Sequence, residues 1–360
     1  MQKKVCVYAI CKNEAKFVKR WYDSIKDADG IFVLDTGSTD DTVKILKSLG
    51  VVVKTAKIDP WRFDTARNMA LEMIPDDYDI CISLDLDEVL LDGWKKELLS
   101  IWQDDLTRLH YTYNWLIIDD VPKITFYSDK IHKRKNARWK NPVHEIVTFL
   151  EPEVISTTEK IVVNHYPDKT KSRSSYLPLL ELAVSEDPQN DRNMHYLGRE
   201  YMYYGEWNKA IDTLIKHLHL KKATWKDERC ASMRFISRCY QHLLRYDEAE
   251  MWLLKAIKEA PYLRDGYVEL ALLYYSLKQY KEVIKYGQKA LKITYNPKTY
   301  INESFSYDET IYDILSIAYY YENDLPKAIR YVKKAIKINP NDERLKSNLN
   351  FYLAQKNTKN

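Results

Sequence analysis

The chain has 360 residues, more than one ordinary hydrophobic core holds, and 45% of them are apolar, so two globular domains are expected. Its 56 Lys and Arg stand against 52 Asp and Glu, and a formal charge of +4 is by itself too small to imply a nucleic-acid or membrane partner. The cysteines Cys6, Cys11, Cys81, Cys230 and Cys239 are odd in number and dispersed, with no CxxC pair or zinc spacing, which argues against a disulfide framework and for reduced thiols in the cytoplasm.

In chain order, residues 5–11 form an apolar run that Lys12-Asn13-Glu14 ends short of membrane-spanning length, with no small-residue cleavage site behind it. It reads as a buried first strand, and no membrane span is expected. Short β-rich runs then alternate with amphipathic helical stretches: strand 5–10 and helix 14–25, strand 31–35 and helix 40–49, strand 51–56 and helix 64–74, then strand 80–85. That alternation predicts a parallel, doubly wound sheet. Ligands of such sheets bind outside the carboxyl ends of the strands, where Asp35 and Asp85 each close an apolar run. After Trp94 the pattern changes to alternating segments such as His110-Tyr111-Thr112-Tyr113-Asn114-Trp115 and Ile161-Val162-Val163-Asn164-His165, read as antiparallel additions that complete the site.

From about residue 174 the strand pattern gives way to a helical repeat in which an aromatic precedes a small residue by nine positions. Tyr201 precedes Ala210, Tyr240 precedes Ala249, Tyr274 precedes Val283 and Tyr319 precedes Ala328. Leu197, Ile236, Leu270 and Leu315 lie four before those tyrosines, and Ala256, Ala290 and Ala335 lie seven after the later small residues. The pattern resembles the tetratricopeptide repeat (TPR), with Pro261 and Pro340 as terminal prolines, although residues 296–307 lengthen one interval and His217 stands where alanine is usual. The expected division is 1–170 for the α/β domain, 171–190 for a connecting helix or linker, and 191–355 for the repeats.

The sharpest chemical signal is Ile82-Ser83-Leu84-Asp85-Leu86-Asp87-Glu88, an apolar strand running into a DxD. Two carboxylates at a strand end supply hard oxygen ligands for a divalent cation, with a nucleotide diphosphate completing the shell. The alternative is a solvated turn, or a helix start capped by Asp87 and Glu88. Asp35-Thr36-Gly37-Ser38-Thr39-Asp40-Asp41-Thr42 repeats the arrangement: Asp35 can accept hydrogen bonds from a base or ribose, Gly37 permits a tight turn, and Thr39 or Asp40 can cap a helix.

Together with Cys11-Lys12-Asn13-Glu14, these elements resemble family 2 glycosyltransferases of the GT-A fold, a Rossmann-like nucleotide-diphospho-sugar transferase architecture. The similarity continues through Phe63-Asp64-Thr65-Ala66-Arg67-Asn68, Trp139-Lys140-Asn141-Pro142-Val143-His144-Glu145 and Asn164-His165-Tyr166, in the family's order. One departure is Thr36, where many members carry a second aspartate. The appended repeats match a subgroup that includes sublancin-type peptide S-glycosyltransferases and lipopolysaccharide-core sugar transferases. The expected fold class is thus an α/β GT-A domain followed by an all-α TPR-like helical repeat domain.

The resemblance implies a role at each matching position. Asp35 would contact the nucleobase or ribose, Arg67 and Asn68 would help hold the nucleotide, and Asp85 would face the ribose or metal-bound water. Asp87 would ligate Mn²⁺ or Mg²⁺, and His165 would join the metal shell; otherwise it is a hydrogen-bonded packing residue. Glu145 is the first choice for the base that takes the acceptor's proton and His144 the second, with acceptor orientation or pairing to Arg138 as other uses of the carboxylate. Trp61, Trp115 and Trp139 are candidate sugar platforms, and core burial is their alternative. The basic stretch 130–140 could lean over a diphosphate or receive an anionic acceptor, or be a solvated loop or hairpin.

The function expected is metal-assisted, inverting transfer of a hexose from a nucleotide sugar, a UDP-sugar, to a peptide, protein or saccharide acceptor presented on the repeats. The alternatives are a non-catalytic TPR scaffold with a degenerate nucleotide-sugar-binding domain, and a DNA-base glycosyltransferase. The weak charge speaks against nucleic acid, and self-association into a homo-oligomer is left open.

Overall fold

The computed structural model describes residues 3–168 and 174–358, so the boundary expected at 170–171 lies outside the described residues. The chain divides into two compact units, Met1–Glu186 with Lys298–Tyr300, and Asp187–Pro297 with Ile301–Asn360. Among the described residues no helix is long and apolar enough to cross a membrane.

The first unit runs β1 (Val5–Cys11), α1 (Ala15–Ile25), β2 (Gly30–Asp35), α2 (Thr42–Ser48), β3 (Val52–Thr55), α3 (Phe63–Glu72), β4 (Ile80–Ser83), β5 (Glu88–Leu90), α4 (Trp94–Ile101), β6 (Arg108–Ile118), β7 (Val121–Lys133), β8 (Arg138–Lys140), β9 (Ile146–Thr148), β10 (Ile155–His165) and α5 (Tyr176–Glu186). Eight strands form one sheet in the order β3-β2-β1-β4-β7-β6-β10-β5, and β8 pairs with β9 separately. The wing β3-β2-β1-β4 is parallel, whereas β7 runs antiparallel to both β4 and β6, β10 parallels β6, and β5 is antiparallel to β10. The doubly wound expectation therefore describes half of a mixed sheet.

The central strand β1 is apolar throughout because both of its faces are covered. Val5, Val7 and Ala9 join a core with Val18 and Trp21 of α1, Leu46 of α2 and Leu98 of α4. The alternate residues Cys6 and Tyr8 join a second core with Ala66 and Ala70 of α3. Strand β4 stops at Ser83, two residues earlier than the apolar run suggested, so Asp85 and Asp87 stand on the turn into β5. Leu84 and Leu86 are fully buried, and this alternation sinks the turn into the core while its aspartates point away. The DxD leads into a short strand, not a helix that Asp87 and Glu88 could cap; α4 begins only after Gly93, at φ 84°.

The second unit holds α6 (Asp191–Tyr203), α7 (Trp207–His219), α8 (Lys226–His242), α9 (Tyr246–Glu259), α10 (Asp265–Ser276), α11 (Tyr280–Lys292), α12 (Thr310–Tyr321), α13 (Leu325–Ile338) and α14 (Glu343–Thr358). Each repeat tyrosine lies on the first helix of a hairpin and each small residue on the second. Ala210, Ala249, Val283 and Ala328 are all fully buried. The hairpins share one helix ending. Backbone carbonyls of Tyr201, Tyr240, Tyr274 and Tyr319 accept from the N–H five residues on, at 2.8–2.9 Å, around a left-handed residue at Gly205, Leu244, Lys278 or Asn323. This is the Schellman cap. At Gly198 a Cβ would stand 2.5 Å from Leu214 Cγ, so only glycine lets α6 and α7 approach this closely. The lengthened interval is tied down: Arg234 donates to the Ile301 carbonyl at 2.8 Å, and Asp265 accepts from the Glu303 N–H at 2.7 Å.

Candidate active site

The loops after β1 and β2 interlock. Asn13 donates its N–H to Ser38 Oγ at 2.8 Å and accepts from the Thr39 N–H at 2.7 Å, and Thr36 Oγ1 donates to the Cys11 carbonyl at 3.0 Å. Asp35 closes β2 with its carboxylate folded onto its own loop, accepting from the Gly37 N–H at 3.2 Å and the Ser38 N–H at 3.1 Å, and the residue is only 1% exposed. Gly37, at φ 102°, supplies the left-handed step. Asp40 accepts from the N–H groups of Thr42 at 3.0 Å and Ala15 at 3.2 Å, serving the starts of α2 and α1 together.

Helix α3 sends Arg67 inward, where it is 3% exposed. A buried guanidinium must have its N–H groups satisfied. Nη1 and Nη2 reach the two oxygens of Asp85 at 3.0 Å each, Nη1 also donates to Ser83 Oγ at 3.0 Å, and Nε donates to Glu145 Oε1 at 2.5 Å. Its face lies 5.2 Å from the Trp139 ring. Lys130, on β7, adds a 3.0 Å contact to Asp85 Oδ2. Burial alone would push the Asp85 carboxyl up, but Arg67 and Lys130 reverse this and hold it well below the usual carboxylate range.

Beside this cluster, Asp87 Oδ2 lies 3.5 Å from His165 Nε2, with both side chains mostly covered. The Tyr166 N–H donates to the Asp87 carbonyl at 2.8 Å, which ties the end of β10 to the turn. His165 Nδ1 lies 3.1 Å from the Trp115 carbonyl, an acceptor, so the proton of the neutral ring is assigned to Nδ1 and Nε2 presents its lone pair toward Asp87. Burial disfavours the imidazolium, yet the Asp87 contact outweighs it and raises the His165 pKa above its ordinary value. Glu88 is 2% exposed, and burial pushes its carboxyl up against the pull of Lys130 at 3.5 Å.

The remaining expected residues fall in a second arc. Both ends of the Asn68 amide bind the Trp139 backbone at 2.9 Å, so Asn68 fastens β8 to α3 through its oxygen and one of its two amide N–H donors. His144 (φ 51°) and Glu145 follow Asn141 (φ 78°) in the β8–β9 loop, with Phe63 N–H to the Pro142 carbonyl, 3.0 Å, holding the loop to α3. The His144 ring meets Tyr176 of α5 edge-on at 5.8 Å. Glu145 pairs with Arg67; pairing with Arg138 was one alternative use of its carboxylate.

Trp139 is 2% exposed and belongs to the core, which removes it as a sugar platform, whereas Trp115 is 42% exposed. The basic stretch is strand rather than solvated loop over much of its length: Lys130 faces the acids and His132 is fully buried, while Lys135, Arg138 and Lys140 are exposed. Sequence reasoning missed Lys130 and Tyr113 and took Glu88 only for a helix cap. The signal for Glu88 was a third acid directly after the DxD in an otherwise apolar stretch.

Among the described residues no group of three or more His, Cys, Asp or Glu is arranged to hold a metal ion. Asp85 is committed to two basic side chains. Asp87 and His165 offer one carboxylate and one oriented imidazole, a donor set that fits Mn²⁺ or Mg²⁺ when diphosphate and water oxygens complete the shell.

The family described as "Glycosyl transferase family 2" matches residues 6–149. An uncharacterized glycosyltransferase of Rickettsia typhi (strain ATCC VR-144 / Wilmington) is 35% identical over 274 residues, covering 74% of this chain and 82% of the relative. The chain belongs to glycosyl transferase family 2. The family match spans Asp35, Arg67, Asp85, Asp87 and Glu145 and stops before β10, which carries His165. An uncharacterized glycosyltransferase of Rickettsia bellii (strain RML369-C) is 32% identical over 164 residues, 41% of this chain and 54% of the relative. The SPbeta prophage-derived glycosyltransferase SunS of Bacillus subtilis (strain 168) is 26% identical over 273 residues, 71% of this chain and 62% of SunS. The chain thus spans less than two thirds of the length of these last two relatives. In the helical unit, residues 263–355 match the "Prolyl 4-hydroxylase peptide-substrate-binding domain", a stretch that holds α10 to α13 and most of α14.

Proposed function

We propose that this family 2 enzyme transfers a hexose, with inversion, from a UDP-sugar to a peptide, protein or saccharide acceptor. The observation that carries the reading is the facing pair Asp87 and His165, at 3.5 Å, beside an Asp85 fixed by Arg67. Asp87 and His165 would hold Mn²⁺ or Mg²⁺, and the cation's contribution is to offset charge on the departing diphosphate. Asp35 and its loop would contact the nucleobase or ribose, and Asp85 would face the ribose or metal-bound water.

The acceptor's oxygen or sulfur attacks the anomeric carbon as the bond from that carbon to the diphosphate oxygen breaks. The acceptor's proton passes to Glu145, and the electron pair of the broken bond leaves with the nucleoside diphosphate. Arg67 orients Glu145 through its Nε while its other end holds Asp85, so base and donor site are referred to one rigid guanidinium. No covalent enzyme intermediate is needed.

A peptide acceptor is favoured by the match of residues 263–355 to a domain named for peptide-substrate binding. The reading extends to a reducing, cytoplasmic setting, supported by free and buried Cys6, Cys11, Cys81, Cys230 and Cys239.

The test is a panel of nucleotide sugars scored for Mn²⁺-dependent thermal stabilisation and slow hydrolysis. The donor should stand out, because a bound ligand raises apparent stability with occupancy. Asp87→Ala should abolish the metal-dependent part of both signals. If that variant turns over donor as fast as the wild type, the reading is wrong.

A further inference from the structure

Glu88 is the one acid of the Asp85-Leu86-Asp87-Glu88 turn to which the proposed chemistry gives no part, yet it is the most deeply buried of the three. A carboxylate removed from water is costly unless its oxygens are satisfied. Both are. The Tyr113 hydroxyl donates to Oε1 at 2.8 Å and the Asp85 N–H donates to Oε2 at 2.9 Å, while the Glu88 N–H returns a 2.9 Å bond to the Asp85 carbonyl. Side chain and backbone thus close the same turn twice, and Asp87 sits at its tip.

The oxygen that Tyr113 holds, Oε1, leads to the other half of the pair. Tyr113 comes from β6, and its ring is stacked on His165 with centroids 5.9 Å apart and planes 28° from parallel. His165 is also the residue that β10 pairs in register with Glu88 of β5. One carboxylate therefore fixes Asp87 through the turn and His165 through Tyr113.

We infer that Glu88 is a positioning residue which, with Tyr113, holds Asp87 and His165 at the separation a divalent cation requires, without touching the cation. This rests on the reading of Asp87 and His165 as the cation's protein ligands. Glutamate suits the post because two donors converge on it. Glutamine has one acceptor oxygen, which can take the Asp85 N–H, and its NH₂ can donate to Tyr113 once that hydroxyl rotates. Glu88→Gln should therefore retain part of the geometry that Glu88→Ala loses.

The experiment is a titration of Mn²⁺ by electron paramagnetic resonance into wild type, Tyr113→Phe, Glu88→Gln and Glu88→Ala, all at one fixed UDP concentration, with thermal unfolding of each protein measured alongside. Outer partners of metal ligands are typically worth about 10–100-fold in metal affinity. Tyr113→Phe and Glu88→Ala should raise the Mn²⁺ Kd by about that factor, and Glu88→Gln by less than about tenfold. Tyr113→Phe keeps the ring, so it should weaken Mn²⁺ binding while its unfolding temperature stays close to that of the wild type. If Glu88→Ala does not fold, Tyr113→Phe and Glu88→Gln still decide the matter. Unchanged Mn²⁺ affinity in folded variants of a wild type that binds Mn²⁺ overturns the positioning role alone. A wild type that binds no Mn²⁺ beyond what free UDP takes up overturns the cation reading, and this inference with it.

Discussion

Arg67 grips Asp85 through two parallel N–H···O bonds of 3.0 Å, with the guanidinium side chain only 4% exposed. A fork of this kind cannot be reproduced by the single ammonium of lysine. Arg67→Lys should therefore fold but lose the link between Asp85 and Glu145, with turnover falling at least about tenfold if one oriented hydrogen bond of about 1.4 kcal/mol is lost. Arg67→Ala leaves Glu145 and Asp85 short of a partner in a covered site and should cost about 3 kcal/mol, the lower end for a broken buried pair because Lys130 remains. Donor hydrolysis and urea unfolding measure the two effects, and an Arg67→Lys enzyme of wild-type rate would remove Arg67 from the machinery.

His132 should make the first unit acid-sensitive. Its Nδ1 faces the Lys133 carbonyl at 2.7 Å and its Nε2 the Tyr8 hydroxyl at 2.8 Å, and Tyr8 in turn accepts from Trp139 Nε1 at 2.8 Å. That chain is complete only with a neutral ring carrying its proton on Nδ1. Burial lowers its pKa from 6.5 to about 4. A folded-state value below the unfolded one means that stability is fully present above pH 6.5 and is lost as pH falls through 6.5 toward 4, because the unfolded chain takes up a proton that the folded one refuses. By pH 5 the loss should be about 2 kcal/mol. His195 in the second unit, lowered to about 3 chiefly by burial, carries the same sign. Denaturant unfolding of the wild type and His132→Gln at pH 7 and pH 5 checks this; an equal acid loss in both would clear His132 of the effect.

The parallel wing and its strand-end acids were legible because covered strands leave nearly continuous apolar runs. Strand β7 was not, since Lys123, Asp129, Lys130 and His132 interrupt its apolar pattern and its turn from β6 is Asp119-Asp120, at φ 50° and 59°, without the glycine or asparagine that marks such turns. Missing β7 meant missing Lys130, whose partners lie across the sheet rather than along the chain. The repeat tyrosines also mark a feature that spacing alone does not reveal: at each of these positions the backbone carbonyl, which any residue would supply, closes a Schellman cap. Only Gly205 and Asn323 among the four left-handed positions are residue types that mark a turn, so a search for turn residues would have found two hairpins of the four.

Those four positions make a graded prediction. Gly205 has φ 76°, and an added Cβ would meet nothing closer than Trp207 at 3.7 Å, so Gly205→Ala suffers backbone strain alone and should cost about 1 kcal/mol. Leu244 has φ 59° and is 71% exposed, so Leu244→Gly relieves strain without uncovering a core. Relief and the added freedom of the unfolded chain nearly offset, leaving stability unchanged or higher by up to about 1 kcal/mol. Thermal unfolding of the two variants settles it, and a Leu244→Gly protein as damaged as Gly205→Ala would show that the left-handed turn is not where strain resides.

The proton acceptor can be assigned by comparing two neighbours on one loop. Glu145→Gln keeps an oxygen that can accept from Arg67 Nε, so the loop and the Asp85 fork should survive while the base is lost. General-base assistance is typically worth about 10²–10⁴ in rate, and the loss should fall on kcat with the donor KM moving less than about threefold. His144→Ala removes an edge contact to Tyr176 and should lower kcat by less than about tenfold if the ring only shapes the loop. Hydrolysis of whichever nucleotide sugar gives the largest Mn²⁺-dependent thermal shift provides the assay, with water standing in for the acceptor. A large kcat loss in His144→Ala with a near-normal Glu145→Gln would transfer the base to His144 and leave Glu145 as the anchor that keeps Arg67 turned toward Asp85.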